Sequence, residues 1–264
     1  MGIMEKIRLD VLMVEKGLAE SRSLAQRLVM AGQVRVDGQV ALKPATKVAE
    51  TVEISVDHGP KFVSRGGEKL DAALQAFGMT DLQGRTCADV GASTGGFTDC
   101  LLQRGAHKVY AIDVGYGELH WKLRNDPRVV VMEKTNARFV AILPELIDLA
   151  SVDASFISLR TLLPVIHNWL VPNGEVVALI KPQFEAGRAQ AAKGEGVIRD
   201  PAVHEEVLKT VLGYAQAQGY GLLGLIRSPL TGPKGNIEFL AHWNLDDHNA
   251  VDVEEQIQKA LMVY

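Results

Sequence analysis

Two lysines and two carboxylates, Lys69, Asp153, Lys181 and Glu238, fall where a sheet of alternating strands and helices would open its cleft. Asp153 ends an apolar run from Ala150, and Lys181 ends another from Gly174 that closes on Leu179-Ile180-Lys181-Pro182. Both runs read as strands, and in open α/β sheets the ligand crevice lies beyond the carboxyl ends of strands. Lys69 sits on a helical stretch, Glu68 to Phe77, ahead of the first strand, and Glu238 sits in the last, Ile237 to Trp243. A free lysine titrates near about 10.4, so a basic role for Lys181 requires desolvation or a second cation, which Lys69 could supply. Carboxylates beside it pull the other way, toward an ammonium that orients and stabilises. Read singly, Lys69 could be a solvated helix residue and Glu238 an edge-strand carboxylate.

A second constellation lies earlier in the chain. Thr86 to Val90, which carries Asp89, is a short apolar run leading into Gly91-Ala92-Ser93-Thr94-Gly95-Gly96-Phe97-Thr98, and a helix from Phe97 to Gln103 stops at Gly105. Strand, glycine turn and helix in that order bring backbone amides and a helix N-terminus to one point, which favours a polar ligand. Roughly 20 residues on, the strand Lys108 to Val114 delivers Asp113, whose carboxylate can accept from both hydroxyls of a ribose. A nucleoside cofactor is indicated. The dinucleotide fingerprint G-x-G-x-x-G fails, because Ala92-Ser93-Thr94 separates Gly91 from Gly95-Gly96. After a further strand, Arg128 to Met132, Asn136 stands where an adenine ring would lie, or serves as a helix cap.

These residues need a scaffold. Strands at Ala150 to Asp153, Gly174 to Lys181, Gly221 to Arg227 and Ile237 to Trp243 complete a seven-stranded, mostly parallel, doubly wound α/β sheet with helices between. Ahead of it lies something smaller. Leu9, Leu12 and Met13 recur at helical spacing and Gly17 stops them; Ser21 or Ser23 can cap a second helix; Val34 and Val36 alternate into Asp37-Gly38 and Val40, a tight hairpin, before a strand at Val52 to Val56. Gly59-Pro60 and Gly66-Gly67 make residues 59–67 a linker between a domain at 1–58 and one at 68–264.

With 47% hydrophobic and 23% charged residues, the chain reads as an ordinary globular protein rather than a disordered one. No apolar run approaches the roughly 18 residues that span a bilayer, and Met1 to Asp10 is charged and lacks a signal-like core, so a cytoplasmic protein without membrane contact is expected. Cys87 and Cys100 match neither a zinc pair nor a redox motif; they read as small buried residues, and no metal site is expected. The net charge of -4 hides an asymmetry: residues 1–65 carry ten basic against eight acidic residues, which steers a polyanion to the front end. No obligate protein partner is evident.

The front end resembles the S-four RNA-binding domain over residues 8–57, through the Ser-Arg opening of the second helix, the run from Ala31 to Gly38, and Lys43-Pro44. That resemblance makes Arg22, Arg27 and Arg35 candidates for gripping structured RNA, although each alone reads as a solvated charge. The glycine turn after Asp89 resembles the S-adenosylmethionine motif of class I methyltransferases, which implies cofactor-binding roles for Asp89, Gly91 to Phe97, Asp113, Asn136 and Asp153. Lys69, Asp153, Lys181 and Glu238 match the tetrad of FtsJ-like ribose methyltransferases. The surrounding blocks are similar too: Ser64 to Leu70, Asp153 to Leu159, Lys181 to Glu185 and Gly235 to Glu238.

Almost the whole chain resembles the TlyA family, named both as haemolysins and as ribosomal RNA cytidine 2′-O-methyltransferases. The resemblance implies a Rossmann-like fold, S-adenosylmethionine as cofactor, and direct displacement by a ribose 2′-oxygen of ribosomal RNA within a ribosomal subunit, Lys181 acting as base or electrostatic stabiliser. Arg65, Arg188 and Lys193 are further candidate RNA contacts, the last two on the basic stretch from Gln183 to Arg199, which could equally be an idle loop. An Asp/Asn-Pro-Pro-aromatic loop for amine methylation is missing at Asp153-Ala154-Ser155-Phe156, and neither cysteine is placed for carbon-5 attack. The competing readings are an RNA-binding assembly factor with a degenerate enzyme domain, and a membrane-lytic haemolysin.

Overall fold

The computed structural model describes residues 6–57, 59–187, 196–245 and 251–262. It divides into two units, Met1–Lys61 and Phe62–Tyr264. Arg188 and Lys193 lie outside the described residues.

The first unit runs β1 (Lys6–Arg8), α1 (Leu9–Glu15), α2 (Arg22–Met30), β2 (Val34–Val36), β3 (Gln39–Val40), β4 (Lys47–Ala49) and β5 (Ile54–Val56). Leu9, Leu12 and Met13 of α1 meet Ala25 and Val29 of α2 and Val34 of β2 in a small core. Ser21 caps α2, its hydroxyl accepting from Leu24 N at 3.2 Å. Asp37 and Gly38 turn the β2–β3 hairpin with φ of 49° and 79°, as a two-residue turn of this kind requires. The pairing of β1 with β4, Ile7 opposite Val48, was not legible: Lys47-Val48-Ala49 is too short to show alternation.

The second unit is built on a seven-stranded sheet. Its strands are β6 (Thr86–Val90), β7 (Lys108–Ile112), β8 (Val129–Met132), β9 (Ile147–Val152), β10 (Leu170–Ile180), β11 (Tyr220–Arg227) and β12 (Phe239–Leu245). They lie in the order β11-β12-β10-β9-β6-β7-β8. All neighbouring pairs from β10 to β8 are parallel, and β12 alone runs against both its neighbours. The helices are α3 (Gly66–Ala76), α4 (Gly96–Gln103), α5 (Trp121–Arg124), α6 (Leu159–His167), α7 (Pro182–Glu185), α8 (Pro201–Ala217) and α9 (Val253–Met262), with a 3-10 turn at Ala137–Phe139.

Side chains of a strand alternate between faces. Ala88 and Val90 accordingly join the core layer under α6, α8 and α9, while Cys87 joins the layer under α3 and α4. This is a Rossmann-like, doubly wound sheet, as the strand pattern implied. Phe62, from the segment expected to be linker, is buried in the second layer and abuts Gly67 of α3. Both cysteines are buried, and burial pushes the Cys87 thiol up to about 12, which suits an inert core residue. No described helix is long and apolar enough to cross a membrane, and no metal-holding cluster occurs among the described residues.

Candidate active site

The order β10-β9-β6 sets three strand ends side by side, and these carry Lys181, Asp153 and Gly91. The chain runs outward from β6 through β7 to β8 and then crosses back to β9 on the other side of β6, so the strand order reverses between β6 and β9, a topological switch point where such sheets bind ligands.

The bend after β6 has a backbone that only glycine adopts easily. Gly91 has φ +87°, and a Cβ there would stand 2.6 Å from Asp153 O. Gly91 N and Ala92 N both donate to Ile112 O, at 2.8 and 3.2 Å, and Ser93 N donates to Asp113 Oδ2 at 2.8 Å. Gly115 N holds the other oxygen, Oδ1, at 2.7 Å. The Asp113 carboxylate is thus fixed at the rim with lone pairs to spare.

Asp89 behaves differently from its neighbours. Its Oδ2 accepts from Thr98 N at 2.8 Å and from Thr98 Oγ1 at 2.6 Å, tying α4 to the strand, while its buried Oδ1 has no partner. Burial, offset in part by the Thr98 bonds, pushes its carboxyl up to about 7. An unfolded Asp titrates near about 3.9, so the folded state holds the proton across the interval and stability drains as pH rises from about 4 to about 7. Asn in place of Asp89 keeps an acceptor for Thr98 without the charge. Its stability advantage over Asp is expected to grow by about 1 kcal/mol per unit from pH 5 to 7 and to level off above. Denaturant unfolding of both proteins across that range measures the difference; a pH-independent gap would contradict the protonation assigned here.

Two cavities open at the strand ends. One, about 500 Å³, is bordered by Asp113, Val114, Asn136, Ala154 and Phe156. The other, about 350 Å³, is bordered by Arg65, Lys69, Lys181, Thr231, Pro233 and Glu238. Gly91, Ser93, Asp153 and Ser155 line both, so the two meet along them. The first suits a nucleoside: a concave apolar wall, a fixed carboxylate at the rim, and a bend whose missing Cβ leaves room. These features fit S-adenosylmethionine.

In the second cavity four of the five charged residues form two pairs. Lys181 Nζ lies 2.6 Å from Asp153 Oδ1 as an ion pair, outside hydrogen-bond alignment at that oxygen, and donates to Ser155 Oγ at 3.1 Å. Lys69 Nζ donates to Glu238 Oε2 at 2.6 Å, and Gln183 Nε2 donates to Oε1 at 3.3 Å. Lys69, Lys181 and Glu238 are buried, so each charge depends on its partner. Glu238 is delivered differently from expectation. It precedes β12 rather than lying within it, since the strand begins at Phe239.

Of the other expected cofactor residues, Ala92, Thr94, Gly96 and Phe97 border the second cavity, whereas Asp89 and Gly95 border neither; Gly95 packs toward Leu119 and Leu123. Asn136 both borders the nucleoside cavity and caps the 3-10 turn, its Oδ1 accepting from Arg138 N at 3.2 Å. Arg65 stands exposed at the start of α3. Arg22, Arg27 and Arg35 are exposed on the first unit: Arg27 donates to Ser23 Oγ, Arg35 to Gly38 O, and Arg22 to Asp10. Sequence reasoning missed Ser155, Gln183, Thr231 and Pro233. Ser155, two places past Asp153, carried a signal; Thr231 and Pro233 sat in what reads only as a turn.

The loops bearing Asp153 and Lys181 are stitched together beyond the pair itself. Phe156, with φ 63°, packs on Phe184 with centroids 4.9 Å apart. Buried Glu185 accepts from Ser158 Oγ at 2.6 Å and from Leu159 N at 2.7 Å, at the start of α6. Glu185→Ala is expected to lower kcat by about 10- to 100-fold through misplacement of Lys181 against Asp153, with cofactor KM little changed. Glu185→Gln can still accept from Leu159 N through its amide oxygen and can donate to Ser158 Oγ through its amide nitrogen, and should restore most of the rate. Equal kcat in the two variants would contradict this stitching.

A family model described as FtsJ-like methyltransferase matches residues 62–245, and one described as the S4 domain matches residues 7–54. A Bacillus subtilis protein, provisionally named rRNA methyltransferase YqxC, is 47% identical over 97% of this chain and 93% of its own length. The 16S/23S rRNA (cytidine-2′-O)-methyltransferase TlyA of Mycobacterium tuberculosis is 45% identical over 97% of both chains. A solved structure from Streptococcus thermophilus, provisionally named a hemolysin, superposes with a TM-score of 0.70 at 44% identity, covering 98% of this chain and 96% of that one.

Proposed function

Because this chain belongs to the TlyA/YqxC-like family, an FtsJ-like methyltransferase domain behind an S4 RNA-binding domain, we propose that it methylates a ribose 2′-hydroxyl of ribosomal RNA, a cytidine's, within a ribosomal subunit. Such a substrate sets its work in the cytoplasm. The observation that carries the reading is the meeting of the two cavities along Gly91, Ser93, Asp153 and Ser155, which joins a nucleoside pocket to a wall of paired charges.

S-adenosylmethionine supplies an electrophilic methyl group when bound. Asp113 would hold its ribose, Val114 and Asn136 its adenine, and the bend from Gly91 to Phe97 its amino-acid end. On the acceptor side an ammonium at Lys181, paired with Asp153, can donate to the 2′-oxygen and stabilise the charge that develops there as the hydroxyl proton passes to solvent. Ser155 and Asp153 fix the position of that ammonium. The Lys69–Glu238 pair adds a second cation to the same wall while Glu238 keeps it neutral overall. Arg65, beside the cavity, and the arginines of the first unit would take phosphates.

The test incubates the full chain with methyl-labelled cofactor and purified ribosomal subunits, then maps the label. Label at a ribose, making its linkage resistant to alkaline cleavage, is the expected result. Label on a base, or none from folded, cofactor-binding protein, overturns the reading.

A further inference from the structure

Asp10 is completely buried in the first turn of α1, and four hydrogen bonds converge on its carboxylate. Oδ1 accepts from Arg8 Nε at 2.9 Å; Oδ2 accepts from Arg8 Nη2 and Arg22 Nε, each at 2.9 Å, and from Gln26 Nε2 at 2.7 Å. The bonds to Arg8, Gln26 and Arg22, working against burial, hold this carboxyl well below the usual carboxylate range. Two guanidinium groups from different parts of the chain therefore share one oxygen.

A guanidinium has five N–H donors in a rigid fork. Two of Arg8's and one of Arg22's face Asp10, and the rest lie on side chains that remain 39% and 55% exposed. Without the carboxylate, two like charges this close would repel and scatter over many rotamers. With it they stand together, oriented and net positive, a geometry that matches phosphate oxygens.

We propose that Asp10 is a positioning residue of the RNA interface: it fixes Arg8 and Arg22 as one two-armed fork for the phosphate backbone. The proposal rests on ribosomal RNA as the substrate. Arg8 thereby joins the expected contacts, and the role of Arg22 becomes that of half a pair. The consequence has an unusual sign. Removing a negative charge from a surface that binds a polyanion should tighten binding by Coulomb's law alone; here it should weaken it.

The test measures binding of the full chain to protein-free ribosomal RNA across a salt titration. Asp10→Asn is expected to weaken binding about 10-fold and to flatten the salt dependence by about one released counterion per lost phosphate contact. In an Arg8→Ala/Arg22→Ala background the same substitution should change affinity less than about twofold, since the fork is gone. Arg22→Lys, which keeps the charge but not the fork, should weaken binding nearly as much as Arg22→Ala. Equal or tighter binding by folded Asp10→Asn overturns the proposal. Should that variant unfold the first unit, the surface change Arg22→Lys still decides: wild-type affinity there also overturns it. Wild-type protein with no affinity for ribosomal RNA would instead overturn the substrate reading on which the proposal stands.

Discussion

Alanine at Lys181 is expected to cut single-turnover methyl transfer by about 10²- to 10³-fold, the range for removing one donor that stabilises developing charge. Affinity for cofactor and for RNA should move less than about threefold. Lys181 is buried and contacts Asp153 and Ser155, so its loss also leaves the Asp153 carboxylate without its counterion. Binding of RNA is expected to survive because the arginines of the first unit do not depend on this wall. Single-turnover transfer with saturating RNA, together with direct titration of each ligand, separates the two effects. A variant that keeps a tenth or more of the parent rate would remove Lys181 from the chemistry.

Alanine at Gly91 is expected to weaken cofactor binding more than about 10-fold and to lower the melting temperature. Two costs combine. A non-glycine residue at φ +87° is strained by about 1–3 kcal/mol, and its Cβ would meet Asp153 O at 2.6 Å, a backbone atom with nowhere to go while β6 and β9 remain paired. Relief requires the bend or the Asp153 loop to move, and both border the two cavities. Calorimetric titration with cofactor and a thermal melt check this. Parent-like affinity would show that the close approach of these strand ends does not shape the pocket.

Much of this arrangement was legible in residues close together in the chain. Asp37-Gly38 announced a hairpin because few other pairs accept positive φ twice, and the bend from Gly91 to Gly96 announced a strand-to-helix turn for a related reason. Asp113, Asp153 and Lys181 were legible because each closes an apolar run, and strand ends face the crevice. What stayed hidden depends on partners far apart in sequence. Lys69 and Glu238 are 169 positions apart, so their pairing has no local signature, and Glu238 immediately precedes the strand it was assigned to. Arg22 was legible as an RNA candidate, but nothing near it in the sequence reveals that Asp10 accepts from it. Glu185 read as one more charge after Lys181; only the packing of α6 makes it a tie between loops.

The reversal of β12 has a consequence of its own. Parallel strands offer their carboxyl ends at the rim, but the reversed strand offers its beginning, so the stretch joining β11 to β12 arrives there as a hairpin connection. Thr231 and Pro233 on that hairpin border the acceptor cavity and are absent from the nucleoside cavity. Substitutions at Thr231 and Pro233 therefore reach the wall of paired charges and leave Asp113, Val114 and Asn136, on a different wall and earlier in the chain, as they stand.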